Sequence, residues 1–210
     1  MKGRRYYTVG VLIVAILMGL VTGVRAARGM PRAIEMEPWK IQGNPEAPVF
    51  IVEFSDFACP YCNKIRPPLK EVLDAYPQDL KLIFKHFPLS IHPPARPAAE
   101  AAECAADQGK FWPYHDLLFS RVKEWYRTKD LTGMFVGFAA ELGMDPEKFR
   151  TCLESGAKKA AVEQNKKEGR NVFVSGTPTL LLNGRKVFTS HKADSMKDLV
   201  RREIERSKKR

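Results

Sequence analysis

Cysteine and histidine are scarce in this chain, four of each in 210 residues. Two cysteines form a single C-x-x-C, Cys59-Pro60-Tyr61-Cys62; there is no second such pair and no H-x-x-x-H to complete a tetrahedral ligand set, which argues against structural zinc. His86, His92 and His115 are isolated residues, and a lone histidine is more often packed or solvated than a ligand, so no metal or other bound cofactor is expected. The lack of a methionine- or histidine-rich tract counts against a copper-handling protein that would use the two thiols as a soft ligand pair. Internal repeats and low-complexity segments are also missing. Acidic residues are absent from the first 26 positions, and aromatic residues are absent from the C-terminus, where six of the last ten residues are basic. Without interleaved aromatics, that tail reads as a solvated helix end whose cations complement the dipole, and not as a contact for nucleic acid or anionic lipid.

With 44% hydrophobic residues, the chain can bury one substantial core with an inserted subdomain, but two full domains would be cramped. The net charge is +11, of which Lys2, Arg4, Arg5 and Arg25 supply four. Lys2, Arg4 and Arg5 precede 19 uncharged residues, Tyr6 to Val24, and a small-residue step at Val24-Arg25-Ala26, the pattern of an export signal. This run exceeds the roughly 7–15 residues of an ordinary signal core and approaches the about 20 that span a bilayer, so residues 1–26 are expected to be a cleaved signal peptide or a retained membrane anchor. Either delivers the protein to the periplasm or the outer face of the cytoplasmic membrane, where disulfides persist. Residues 27–48, rich in proline and turn formers, predict a tether ending in a turn.

The rest of the chain is organised around the C-x-x-C. Apolar residues 49–56 predict a central strand covered on both faces, interrupted by Glu53. Residues 60–76 predict a helix with Ile65, Leu69, Val72, Leu73 and Tyr76 on one face, bent or bulged at Pro67-Pro68. Cys59 would then sit at the helix N-terminus, where unpaired N–H groups and the macrodipole favour a thiolate, with Pro60 at the first helical position and Cys62 a turn deeper. That makes Cys59 the nucleophile and Cys62 the resolving thiol of a redox pair; the alternatives are half a zinc site or a purely structural bridge. Residues 80–87 predict a second strand. Helical patterns at 95–107, 111–122, 131–142 and after Asp145-Pro146 predict an all-helical insertion over about 94–155. A helix over 157–168, a hairpin pairing 179–182 with 186–189 through Asn183-Gly184, and a helix over 193–207 complete the chain.

Three motifs, Phe54-Ser55-Asp56-Phe57-Ala58-Cys59-Pro60-Tyr61-Cys62, Gln108-Gly109-Lys110-Phe111-Trp112 and Val174-Ser175-Gly176-Thr177-Pro178-Thr179, fall in one order. With them the chain resembles the DsbA-like family of bacterial extracytoplasmic thiol-disulfide oxidoreductases from about Gly43 to near its C-terminus. The resemblance and the order of elements together imply an α/β class, a thioredoxin-like fold with an all-helical insertion, residues 49–210 forming the domain. The resemblance implies that Cys59 attacks substrate, that Cys62 resolves, and that Thr177-Pro178 is a cis bond facing the pair; the residues themselves support only a turn before a strand. It also implies cysteine-containing exported proteins as substrates and a membrane redox partner, a quinone-linked oxidase or a reductase. The Pro-Tyr dipeptide is typical of glutaredoxins, and Thr177 resembles the disulfide isomerases, so an isomerase or reductase is the alternative within this class.

Glu53, buried before the redox pair, is expected to have a raised pKa and to take the proton from Cys62; the alternative is an edge-facing carboxylate in water. Cys104 and Cys152 lack redox spacing and, in an oxidising compartment, are left for each other as a structural disulfide; the alternative is two buried thiols packed as small hydrophobes. Phe111, Trp112 and Tyr114 are either a substrate-facing patch or core.

Overall fold

The computed structural model describes residues 34–187 and 192–209. The expected export signal, residues 1–26, lies outside the described residues, as do positions 188 and 189 of the expected hairpin. No helix among the described residues is long and apolar enough to cross a membrane.

Among the described residues, five strands form one mixed sheet in the order β1-β3-β2-β4-β5. At its centre, β2 (Val49–Ser55) runs parallel to β3 (Leu80–His86), and every residue of both is buried, as expected of strands covered on both faces. β4 (Thr179–Leu182) pairs antiparallel with β2, and β5 (Arg185–Val187) with β4. The turn between them uses positive φ at Asn183 and Gly184, 45° and 80°, the backbone that Asn-Gly favours in two-residue hairpins.

The opposite edge corrects the expected tether over 38–43; residues 27–33 of that expectation lie outside the described residues. Pro38–Lys40 form a single 3-10 turn, and β1 (Ile41–Gly43) pairs antiparallel with β3. Turn-forming residues made this stretch look like a linker, but Lys40 is fully buried and ion-paired to Glu37 at 2.8 Å and to Glu103. Those partners anchor the segment to the domain. They belong to a buried cluster in which Lys85 pairs with Glu37 and, at 2.8 Å, with Glu168, while His86 lies 3.0 Å from Glu103. Asn165 joins them, accepting from Lys40 Nζ at 2.8 Å and donating to Glu37 at 2.8 Å.

Helix α1 (Pro60–Ala75) runs unbroken through Pro67 and Pro68, where a bend or bulge was expected. Its buried residues Ile65, Leu69, Val72 and Leu73 meet the sheet and α8 (Ala193–Lys208), which contributes Met196, Val200 and Ile204. Face-wide burial supports the helix although two prolines leave the Asn63 and Lys64 carbonyls without their intrahelical donors.

The insertion is α2 (Ala95–Ala106), α3 (Phe111–Ser120), α4 (Val122–Trp125), α5 (Leu131–Glu141) and α6 (Pro146–Ser155). The helix expected over 111–122 ends at Ser120, and the single turn of α4 extends past that expectation to Trp125. Asp145 caps α6, accepting from the N–H groups of Glu147 and Lys148 at 3.0 and 3.1 Å. Alanines let α2 sit deep in a core with Tyr114, Phe119, Trp125, Phe135 and Phe149, and that core is continuous with Phe57, Cys59, Cys62 and Phe84. Cys104 of α2 and Cys152 of α6 are joined by a disulfide with Cα atoms 5.9 Å apart. A cross-link over a sequence separation of 48 residues stabilises by about 4 kcal/mol in the chain-entropy account. Helix α7 (Lys159–Asn171) returns to the sheet, where Gly169 allows close approach: a Cβ there would come within 2.7 Å of the Phe87 ring.

Candidate active site

The site forms where β2 ends and α1 begins. Cys59 is the N-cap of α1 in an extended conformation, and Pro60 opens the helix. Cys59 retains slight exposure (5%), whereas Cys62 is sealed (0%); both are free thiols. Cys59 Sγ lies 3.4 Å from the carbonyl oxygen of Thr177, and the Thr177–Pro178 bond is cis, so the loop before β4 forms the wall against the nucleophile side of the pair.

The two thiols are driven apart. The Cys62 thiol donating to Cys59 pulls Cys59 down to about 5, overcoming its burial, with help from the Cys62 backbone N–H. Burial first, and then its role as the donor to Cys59, push Cys62 well above the ordinary thiol range. One sulfur is thus a thiolate at neutral pH and the other keeps its proton.

Beneath them, Glu53 is buried (1% exposed) opposite Phe84 of β3 and Leu180 of β4. Desolvation raises its carboxyl to about 7, with the Ser55 hydroxyl and Arg66 pulling partway back; its charge in turn contributes to the rise at Cys62. Its Oε1 has no hydrogen-bond partner among the described residues. A cavity of 300 Å³ reaches Glu53 past Arg66, His115 and Asp116. Arg66 and His115 both engage Asp116, at 2.5 and 3.0 Å. His115 is pushed down to about 4 by burial and is neutral at pH 7.

Asp56, a member of the first motif to which sequence reasoning assigns no role, holds the loop. Its carboxylate accepts from the N–H of Ala58 at 2.7 Å and of Leu89 at 2.9 Å, and pairs with His92 Nδ1 at 2.8 Å. It ties the turn into Cys59 to the segment after β3. The legible signal was an Asp two residues before a backbone N–H at a helix start, the Asx-turn arrangement. Of the three aromatic residues expected as a substrate-facing patch or core, Phe111 and Tyr114 are buried core and Trp112 is half-buried against it; the Tyr114 hydroxyl donates to Phe135 O at 2.9 Å, and Trp112 Nε1 donates to Ile41 O at 3.2 Å. Among the described residues, the three histidines each meet a carboxylate, His86 on Glu103, His92 on Asp56 and His115 on Asp116. Among the described residues, no group of three or more His, Cys, Asp or Glu side chains is placed to hold a metal ion.

A larger groove of 720 Å³ opens beside Cys59, with Phe57, Ala58, Pro60, Val122 and Tyr126 among its apolar walls. Its size falls in the range of about 300–1,000 Å³ typical of ligand clefts. The contribution of α4 to it was not legible in the sequence.

The chain belongs to the thioredoxin family: the family model described as Thioredoxin matches residues 35–202. Its fold, a thioredoxin-type sheet carrying a helical insertion, aligns over most of its length with solved structures. It superposes on BdbD from Bacillus subtilis with a TM-score of 0.71 at 22% identity, covering 79% of this chain and 92% of that one. For a thioredoxin-like oxidoreductase from Silicibacter pomeroyi the TM-score is 0.68 at 26% identity, over 80% and 94%. For Wolbachia pipientis alpha-DsbA1 it is 0.66 at 20% identity, over 80% and 92%. A curated relative, the Na(+)/H(+) antiporter NhaA 1 of Salinispora arenicola, is 37% identical over 161 residues, 76% of this chain and 24% of the antiporter. The chain thus spans about a quarter of the length of the curated relatives it matches first.

Proposed function

We propose that the protein is an extracytoplasmic thiol-disulfide oxidoreductase acting on exported, cysteine-containing proteins through a mixed disulfide at Cys59. The observation that carries this is the placement of a slightly exposed Cys59 at the start of α1, against Thr177 of the cis-proline loop, with Cys62 sealed behind it. The likeness to the Silicibacter protein, a thioredoxin-like oxidoreductase, supports the same class.

In the oxidised protein, a substrate thiolate attacks Cys59 Sγ, a substrate–Cys59 disulfide forms and the Cys59–Cys62 bond breaks. Cys62 leaves with the electron pair and takes a proton from Glu53, whose carboxyl titrates near neutrality. A second substrate thiolate attacks the substrate sulfur of the mixed disulfide and releases Cys59 as its stabilised thiolate. The substrate gives up two electrons and the Cys59–Cys62 pair gains them. Stabilising the Cys59 thiolate stabilises the reduced form and so shifts the couple toward oxidising its substrate. A membrane redox partner then restores the disulfide. Export by residues 1–26 supplies the compartment.

The test is oxidation of a reduced, unfolded dithiol protein by the purified, oxidised chain. Cys59→Ser abolishes turnover, and in the reductive direction Cys62→Ser accumulates a mixed disulfide at Cys59 that survives denaturation. Thiolate absorbance of the reduced protein titrates near pH 5 and vanishes in Cys59→Ser. Turnover retained by Cys59→Ser, or a first titration belonging to Cys62, overturns the assignment.

A further inference from the structure

We infer that the groove beside Cys59 selects substrate segments rich in carboxylates around the reacting cysteine; this rests on the thiol-exchange reading proposed for the site. Besides its apolar walls, the groove is lined by Lys64, Lys123, Arg127 and His92, and by no carboxylate. Lys64, Lys123 and Arg127 are polar cations on its rim, and Lys64 Nζ sits 5.4 Å from the centre of the Tyr61 ring, next to the nucleophile.

The carboxylates that would neutralise this rim are committed elsewhere. Glu124, between Lys123 and Trp125, is turned onto Arg121, which it meets at 2.6 Å, and Glu141 takes the same guanidinium at 2.6 Å. Arg121 is held in place over the Phe138 ring at 4.4 Å. Asp130 is the N-cap of α5, accepting from Gly133 N at 2.8 Å. Asp56 lies buried, bonded to Ala58, Leu89 and His92.

An apolar floor with a cationic rim suits an extended peptide that buries small apolar side chains and sets carboxylates against the lysines and arginine. The occupant is a polypeptide, the substrate class of the proposed exchange, whose cysteine can meet Cys59 while neighbouring residues cover the apolar walls and the cations. A lipid or nucleic-acid phosphate would match the charge but not the chemistry. Cationic walls beside the sulfur raise the encounter rate of anionic segments, and salt screens that advantage.

The experiment uses the full oxidised chain and two dithiol peptides identical except for flanking glutamates or flanking lysines, with dithiothreitol as an uncharged reference. At low ionic strength, the glutamate peptide is expected to be oxidised faster than the lysine peptide by on the order of tenfold. The ratio should collapse toward unity at molar salt. Lys123→Glu with Arg127→Glu should abolish or invert it, whereas Arg201→Glu with Arg202→Glu on α8, of the same net-charge change, should leave it standing. Equal rates for the two peptides at low salt, or a preference that falls equally in both charge-reversed variants and so reflects overall charge alone, overturn the inference. Failure of the oxidised chain to react with dithiothreitol would instead sink the thiol-exchange reading itself.

Discussion

Two of the settings that hold carboxylates inside this fold contrast sharply. Around Lys40 and Lys85, Glu37, Glu103 and Glu168 are each matched by a buried cation, and Asn165 fills remaining valences. Burial works to raise Glu103, but His86 and Lys40 more than overcome it and hold it well below the usual carboxylate range. Glu53 shares the burial without a bonded cation, and its carboxyl rises to about 7. The same physics that makes an unpaired buried charge costly is neutralised where the fold holds Glu103 and Glu168 inside with half-buried Glu37 beside them, and left standing beneath the thiols. A carboxyl that is easily protonated and easily ionised is what a proton exchange with Cys62 requires.

The sharpest way to break this contrast is to remove a cation from the cluster. Lys85→Met keeps most of the side-chain volume but strands Glu168, and unfolding in denaturant should show a loss of about 3–5 kcal/mol. Adding Glu168→Gln should recover part of it. A loss that the second change does not relieve would mean that Lys85 acts through packing, and the cluster would cease to be an electrostatic counterpart to Glu53.

Glu53→Gln is the converse, with the next largest effect. The native protein holds the Glu53 proton more tightly than the unfolded chain, so stability falls as pH rises from the ordinary value of 4.5 to about 7 and is level above that. The displacement corresponds to about 3 kcal/mol. Glu53→Gln should erase the decline, leaving the variant more stable than its parent above pH 7. It should also slow proton transfer at Cys62 and flatten the pH–rate profile of the step that breaks the Cys59–Cys62 bond. An unchanged profile would make Glu53 a bystander. Smallest is the exposed pair Lys70–Asp74, 2.6 Å apart on α1. Lys70→Ala should cost no more than about 0.5 kcal/mol, and a larger loss would show that helix-surface charge, not burial, sets the scale here.

These settings also differ in how readable they are. Glu53 announces itself as one charge in an apolar run, because its strand neighbours are its spatial neighbours. The cluster is invisible because Glu37, Lys40, Lys85, Glu103 and Glu168 are scattered along the chain, and each passes for an ordinary surface charge until the fold brings them together. The same limit explains β1: its partner strand lies some forty positions away, and local turn chemistry outweighs a pairing that only β3 and the buried Lys40 create. By contrast, the element order, the placement of Cys59 at a helix start and the Asn183-Gly184 hairpin are local patterns and were legible. Asp56 stands in view within the motif. Its reach to Leu89 and His92 could not be seen, because it depends on where the β3–α2 connection passes.

The cross-link between α2 and α6 bears on how the protein matures. Each newly made copy contains a pair of thiols, at 104 and 152, that must be oxidised before the insertion is finished. On the proposed activity, a mature molecule would be chemically able to donate that disulfide to an immature one. A population starting from reduced chains would mature slowly at first and faster as finished copies accumulate, so supply of the first oxidant, more than the intrinsic speed of the enzyme, would govern how quickly the pool becomes competent.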